Sequence, residues 1–223
     1  MRNKGVFITF YVVPLIFFVF MGGVFTSIMP DAYKTIIQSM TVFGVTMGAV
    51  LGSPAPLVEL YGSNIKKGYR VGNIPLWTVA VSNFISGFLH LAIMSMIIFI
   101  AAPLLFNALL PNDLGLYIVA TALTIAASLC VGTLFGLFVK SAAKLTMIAQ
   151  LVFLPSVVLS GIMFPADLLP DAVQYVGRIF PATSGFAFMC ANQIDIAYFA
   201  PLIIIIIASV VVSAWKIKRI GVD

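Results

Sequence analysis

The chain has 223 residues, of which 62% are hydrophobic and only 9% charged, with a formal net charge of +5. A soluble domain carries roughly 25% charged residues, so the shortage of groups to cover an aqueous surface excludes a water-soluble fold. The positive charge does not point to nucleic acid either, because ten of the twelve Lys and Arg residues fall in four short clusters with no basic and aromatic groove pattern.

The clusters are Arg2/Lys4, Lys66/Lys67/Arg70, Lys140/Lys144 and Lys216/Lys218/Arg219, and long apolar runs lie between them. That alternation is the positive-inside pattern of a multi-span membrane protein. A helix needs about 20 apolar residues to cross the hydrocarbon core, and six segments qualify. In chain order they are 7–28, closed by Pro30-Asp31; 33–52, closed by Pro54 and Pro56; 76–102, closed by Pro103; 114–139, ending at Lys140; 145–164, closed by Pro165; and 197–215, ending in the basic tail. The expected fold is an all-α integral membrane protein with six transmembrane helices, read as one membrane domain over 1–223. An even count puts both termini on one side, and the basic clusters make that side cytoplasmic. Asp31, Asp113, Asp167, Asp171 and Asp195 then lie outside, while Glu59 and Asp223 lie inside. Trp77 and Trp215 fall at inner helix ends, where aromatic anchors sit. The first run is too long for a signal-peptide core and lacks a clear cleavage site, so it is read as a retained span.

Small residues recur at spacing four, as Gly44, Gly48 and Gly52 on the second span and Gly132 and Gly136 on the fourth. Such faces let helices approach closely. Packing within one subunit is the simpler reading, and a subunit interface or sliding surface is the other. The segment from Leu57 to Lys67, if helical, sets Leu57, Val58, Tyr61 and Ile65 on one face, with Glu59, Ser63, Lys66 and Lys67 largely on the other. It can lie on the membrane or dock into a partner's groove, and composition does not choose. On the third span Asn83, Ser86 and His90 share a face, with His90 at the depth where polarity is most costly. They suit a transport lining or a proton-sensitive switch. A histidine bonded to a neighbouring helix is simpler, because this is the only histidine and no carboxylate lies at its depth.

The stretch from Pro165 to Ile196 is too apolar for a water-exposed loop. Leu169, Val173 and Val176 keep helical spacing, so one or two short helices re-entering the outer leaflet are expected. Cys130 and Cys190 match no metal spacing and lie at different depths, so free thiols are expected. There is no P-loop, no His-Glu-x-x-His and no Gly-x-Ser-x-Gly. No catalytic residue, no metal site and no cofactor bound by this chain are expected. An intramembrane enzyme would lack a paired base and orienting acid.

The most specific segment reads Pro155-Ser-Val-Val-Leu-Ser160-Gly161-Ile-Met-Phe164-Pro165-Ala-Asp-Leu-Leu-Pro170, followed by Phe180-Pro181-Ala-Thr183. It resembles the membrane permeases of type-two ABC exporters, in which Leu-Ser-Gly-x-x-Phe-Pro ends the fifth helix and a re-entrant outer segment leads to Pro-x-Thr. Glu59, after the second span, matches a Glu of that family, although Gly62-Ser63 stands where a Gly-Thr pair is common. The resemblance implies a half-transporter that exports a hydrophobic or amphipathic cargo such as a drug, peptide antibiotic or lipid-like molecule. It implies an amphipathic cytoplasmic coupling helix carrying Leu57, Glu59, Leu60, Tyr61, Gly62, Ile65 and Lys66, and an outer motif of Ser160, Gly161, Phe164, Pro165, Pro181 and Thr183. It further implies a separate ABC ATPase holding ATP and Mg, and a second permease, identical or homologous, paired through the first and fifth helices. A multi-pass location in a bacterial plasma membrane, among lipids that meet the basic ends, follows from the same resemblance. The alternative is an ATP-independent channel or secondary transporter using Asn83, Ser86 and His90.

Overall fold

The computed structural model describes residues 4–29, 31–62, 68–69, 71–163, 169–191 and 193–222. Every regular element among the described residues is helical. Six helices are long and apolar enough to cross a membrane: Ile8–Ile28, Ile36–Gly62, Trp77–Phe106, Leu114–Phe138, Ala142–Leu159 and Ile196–Ile220, here the first to sixth spans. The far side is the side opposite the termini.

Several ends have visible chemical causes. The Asp113 carboxylate accepts from the Leu116 N–H at 2.9 Å and starts the fourth span. The Ser141 hydroxyl plays the same part for the fifth, accepting from the Lys144 N–H at 3.4 Å, and Asp195 accepts from the Ala197 N–H at 2.8 Å beside the start of the sixth. These are N-terminal caps that satisfy otherwise orphaned donors. In the far-side turn after the first span, Asp31 and Lys34 form an exposed ion pair at 2.6 Å, which holds the lysine's pKa above its usual value. At that exposure the pair adds little stability.

Three expected boundaries are corrected. Pro54 does not close the second span, which continues to Gly62. Pro103 does not close the third, which runs on to Phe106 and stops where Asn107 turns left-handed at φ 51°. The fifth stops at Leu159, well short of 164, because Gly161 is left-handed at φ 85° and breaks the helix there. A proline removes one backbone bond but does not end a membrane helix, since the alternative is backbone exposed to hydrocarbon. At two prolines the ladder adjusts by widening. Val13 donates to the Ile8 carbonyl just before Pro14, and Ser53 donates to the Gly48 carbonyl at 2.9 Å just before Pro54. Each wide turn thus places a proline at the start of the next helical stretch, where its missing N–H is tolerated.

The second span is the centre of the bundle and is almost wholly buried, whereas most residues of the first, third, fifth and sixth are not buried. Its Phe43 ring stacks on Phe17 of the first span at 3.7 Å and meets Phe153 of the fifth edge-on at 5.7 Å. Gly44 and Gly48 make room for Met94 and Leu91 of the third span, and Gly48 and Gly52 for Phe10 of the first. Gly132 lies against the Ala49 carbonyl and Gly136 against Leu57, which brings the fourth span in. The glycine faces therefore serve packing within the chain, the simpler of the two readings.

On the far side, two short helices, Asp171–Gly177 and Pro181–Cys190, precede the sixth span. The second of these is largely buried, with Ala182 and Phe188 fully so. Its Gly185 sits against Thr124, ten residues into the fourth span, or about 15 Å below that span's far end. That ten-residue helix therefore packs well below the far end of the fourth span.

Candidate functional site

On the side of the termini, the second span carries its last two turns beyond Ser53. Leu57, Val58 and Tyr61 are buried there. Leu57 and Tyr61 cluster with Leu76 and Leu137. The Tyr61 hydroxyl donates to the Leu76 carbonyl at 2.7 Å, which ties the start of the third span to the end of the second. Gly62 rests near the Lys140 carbonyl, where an added Cβ would stand at 3.1 Å. The described part of the apolar stripe, Leu57, Val58 and Tyr61, is thus turned inward, with Leu57 and Tyr61 covered by the chain's own fourth span and the start of the third. Neither lipid nor a partner's groove is needed to cover it. Outward on this stretch are Ala55, Glu59 and Gly62, all exposed, with Leu60 half-buried. Ser63, Asn64, Ile65, Lys66, Lys67 and Arg70 lie outside the described residues, as does Arg2. Removing the Tyr61 hydroxyl (Tyr61→Phe) is expected to lower stability by about 1 kcal/mol, a fall in melting midpoint of about 2–4 °C. Thermal denaturation of the detergent-solubilised chain checks this, and an unchanged midpoint would mean the tie is idle.

On the far side, the Ser160 hydroxyl donates to the Val157 carbonyl at 2.9 Å and Gly161 supplies the left-handed turn. Gly177 packs against the end of the fifth span, so closely that a Cβ would stand 2.9 Å from the Leu159 carbonyl oxygen. Thr183 donates to the Gly177 carbonyl at 2.6 Å, and Pro181 is buried at the start of the second short helix. Ser160, Gly161, Pro181 and Thr183 therefore sit on one continuous latch between the fifth span and the far-side segment. Phe164 and Pro165 lie outside the described residues, as do Asp167 and Leu168.

Six spans, a helical far-side segment and this latch form the setting for the family comparison. The profile described as ABC-2 family transporter protein matches residues 31–215, most of the chain. The chain belongs to the ABC-2 transporter family. It is a multi-pass membrane permease subunit of an ABC transporter, and membership implies association with an ABC ATPase. No curated protein and no solved structure matches it.

In this ABC-2 permease the polar face of the third span is largely occupied by intramolecular bonds. The Asn83 amide donates to the Ser53 carbonyl at 3.0 Å, next to the wide turn of the second span. His90 Nδ1 and the Tyr11 hydroxyl share a hydrogen bond of 2.9 Å, and the rings of Phe10 and Tyr11 meet the imidazole edge-on. Ser86 is exposed and lines an open cleft of about 460 Å³ with Tyr69, Ser82 and Asn83. The three residues share a face but not a function-ready cluster, and His90 matches the simpler reading, a histidine bonded to a neighbouring helix. Cys130 is buried and Cys190 exposed, and both are free thiols.

Two residues with structural weight escaped the sequence reading. Gly177 was hidden because one glycine in an apolar stretch has no spacing signal. Tyr11 could have been found as a phenol near the start of the first span, a polar group within an apolar run that needs a partner.

Proposed function

We propose that this permease is an exporter subunit. It works as one of two permeases, identical or homologous, with both termini in the cytoplasm of a bacterial cell. The ATPase partner holds ATP and Mg, and its contact is the tip of the second span around Glu59 and Leu60, continued by Gly62, Ile65 and Lys66. The observation that carries the reading is the unbroken run of the second span from the centre of the bundle to Glu59. A helix buried along its length and exposed at its tip gives a cytoplasmic partner a direct connection to the core. Lys140, Lys144, Lys216, Lys218 and Arg219 on the termini side support the orientation. The cargo is hydrophobic or amphipathic. A groove of about 440 Å³ between the third and fourth spans, walled by Phe88, Met96, Phe99 and Ile118, supports this class. The exposed stripe Met147, Leu151, Leu154 and Val158 on the fifth span supports pairing through that helix.

Co-expression with a candidate ATPase tests the reading. Glu59→Lys is expected to reduce the amount of ATPase that co-purifies by about tenfold, as reversal of a contact charge does, with the melting midpoint of the permease unchanged. Undiminished co-purification together with undiminished ATP-dependent transport would remove Glu59 from the contact.

A further inference from the structure

We propose that the termini side of the bundle holds a specific site for one anionic phospholipid, its acyl chain in a groove between the third, fourth and sixth spans and its headgroup phosphate at Lys218. The groove has a volume of about 340 Å³, with Trp77, Val81 and Phe84 on one wall, Cys130 and Thr133 at the floor, and the sixth span from Ile206 to Ile217 on the other. Of the two hydroxyls in its lining, Thr133 and Ser213, that of Thr133 at the floor already donates to the Leu129 carbonyl at 2.8 Å, and the other nine lining residues carry no polar side chain but the Cys130 thiol and the Trp77 indole. The surface is therefore apolar in function as well as composition. From Ile206 to Ile217 the groove is about 16 Å long, close to half of the roughly 30 Å hydrocarbon core. That is the reach of an acyl chain in one leaflet.

The end of the groove nearest the termini is different. Trp77 and Ile217 also wall a second cavity, of about 420 Å³, whose other sides are Asn73, Ile74, Pro75, Leu76 and Lys218. An apolar slot thus opens directly into a mouth of mixed lining, with Asn73 and a lysine on its rim. The neighbouring cations are turned elsewhere. Lys216 lies over the Phe138 ring at 5.0 Å and the Arg219 guanidinium over Trp215 at 4.0 Å. No ion pair among the described residues engages Lys218, and Glu59 is the only described carboxylate on this side. A positive charge at the mouth of an acyl-length slot calls for a negative headgroup on the same molecule.

The experiment uses tryptophan quenching. The chain has two tryptophans, so Trp215→Phe leaves Trp77, which lines both cavities, as the sole reporter. The full chain is reconstituted in vesicles containing brominated phosphatidylglycerol or brominated phosphatidylcholine at equal mole fraction. Trp77 is expected to show a preference of about fivefold for the anionic lipid, the factor for one lysine facing one headgroup. Adding Lys218→Gln should remove that preference, whereas Arg219→Gln should leave it. Ala214→Phe, at an exposed position on the groove wall, should weaken quenching by both lipids. Equal quenching by the two lipids would overturn the proposal. So would equal losses in Lys218→Gln and Arg219→Gln, which would mean general attraction to a charged surface. Lack of any effect of Ala214→Phe would overturn it too, by placing the bound lipid elsewhere. Each variant is first checked for an unchanged size-exclusion profile.

Discussion

Gly132→Val is expected to abolish recovery of folded protein, a larger loss than substitution at the other glycines of the bundle. A Cβ at this position would overlap the carbonyl oxygen of Ala49 and stand 3.1 Å from the Ser53 hydroxyl. Ala49 lies inside the wide turn Gly48–Gly52, so the obstacle is backbone with no rotamer to change. Overpacking against side chains costs about 1–3 kcal/mol, and displacing a central backbone segment exceeds that. Gly136→Ala is the control. Its Cβ would stand 2.6 Å from the Leu57 Cβ, a side-chain atom near the end of the second span rather than a central carbonyl, and the loss should stay within about 1–3 kcal/mol. Gly23 has nothing within 4 Å, so Gly23→Ala should be neutral or gain up to about 1 kcal/mol of helix preference. Fluorescence-detected size exclusion after a heating series ranks all three. Equal midpoints for Gly132→Val and Gly136→Ala would refute the ranking.

The second large effect is expected at Gly177. Gly177→Leu should undock the far-side segment from the fifth span while leaving the six-span bundle and the ATPase contact in place. The Cβ would stand 2.9 Å from the Leu159 carbonyl oxygen, and the Gly177 carbonyl is the acceptor for Thr183, so one substitution strains both halves of the latch. A cost of about 1–3 kcal/mol lowers the docked-to-undocked ratio by about 5- to 150-fold. Transport should fall with it, and co-purification of the ATPase should not. Thr183→Val, which removes the bond without adding bulk at Gly177, should lie between wild type and Gly177→Leu. Loss of ATPase binding in Gly177→Leu would show that the two sides are not separable. Full transport would show that the latch is dispensable.

The number of spans and their approximate places were legible because hydrocarbon imposes length and apolarity on each helix. The cap at Asp113 was legible too, as an acidic residue just before an apolar run. The ends written as proline stops at 54 and 103 were misread through a rule taken from water, where a broken helix finds solvent for its free carbonyls. In lipid it does not. Gly161 was noticed as part of a motif but not as a stop signal, which is why the fifth span was drawn too long.

The apolar face of Leu57, Val58 and Tyr61 was visible as a stripe, but nothing in local sequence says what covers it. The cover includes Leu137, next to Gly136, some eighty residues away. Tyr11 and His90 are likewise a pair made only by the fold. One signal was present and not used. The second span is among the least hydrophobic of the six, carrying Gln38, Ser39, Thr41 and Thr46, all buried. Lipid favours the most apolar helices at the perimeter, so the least apolar belongs inside.

The paired wide turns have a mechanical meaning. Phe10, within the first, lies against Gly48 and Gly52 of the second, so the two loosened stretches mesh like adjacent cogs. Converting such a turn to regular helix would twist everything beyond it by about 100°. Torque applied at Glu59 would therefore be absorbed first at Gly48–Gly52, and the start of the first span would have to swivel with it. With the proposed contact at Glu59, the fulcrum of the lever would lie a few turns above the tip, and the far half of the span would be a stationary post.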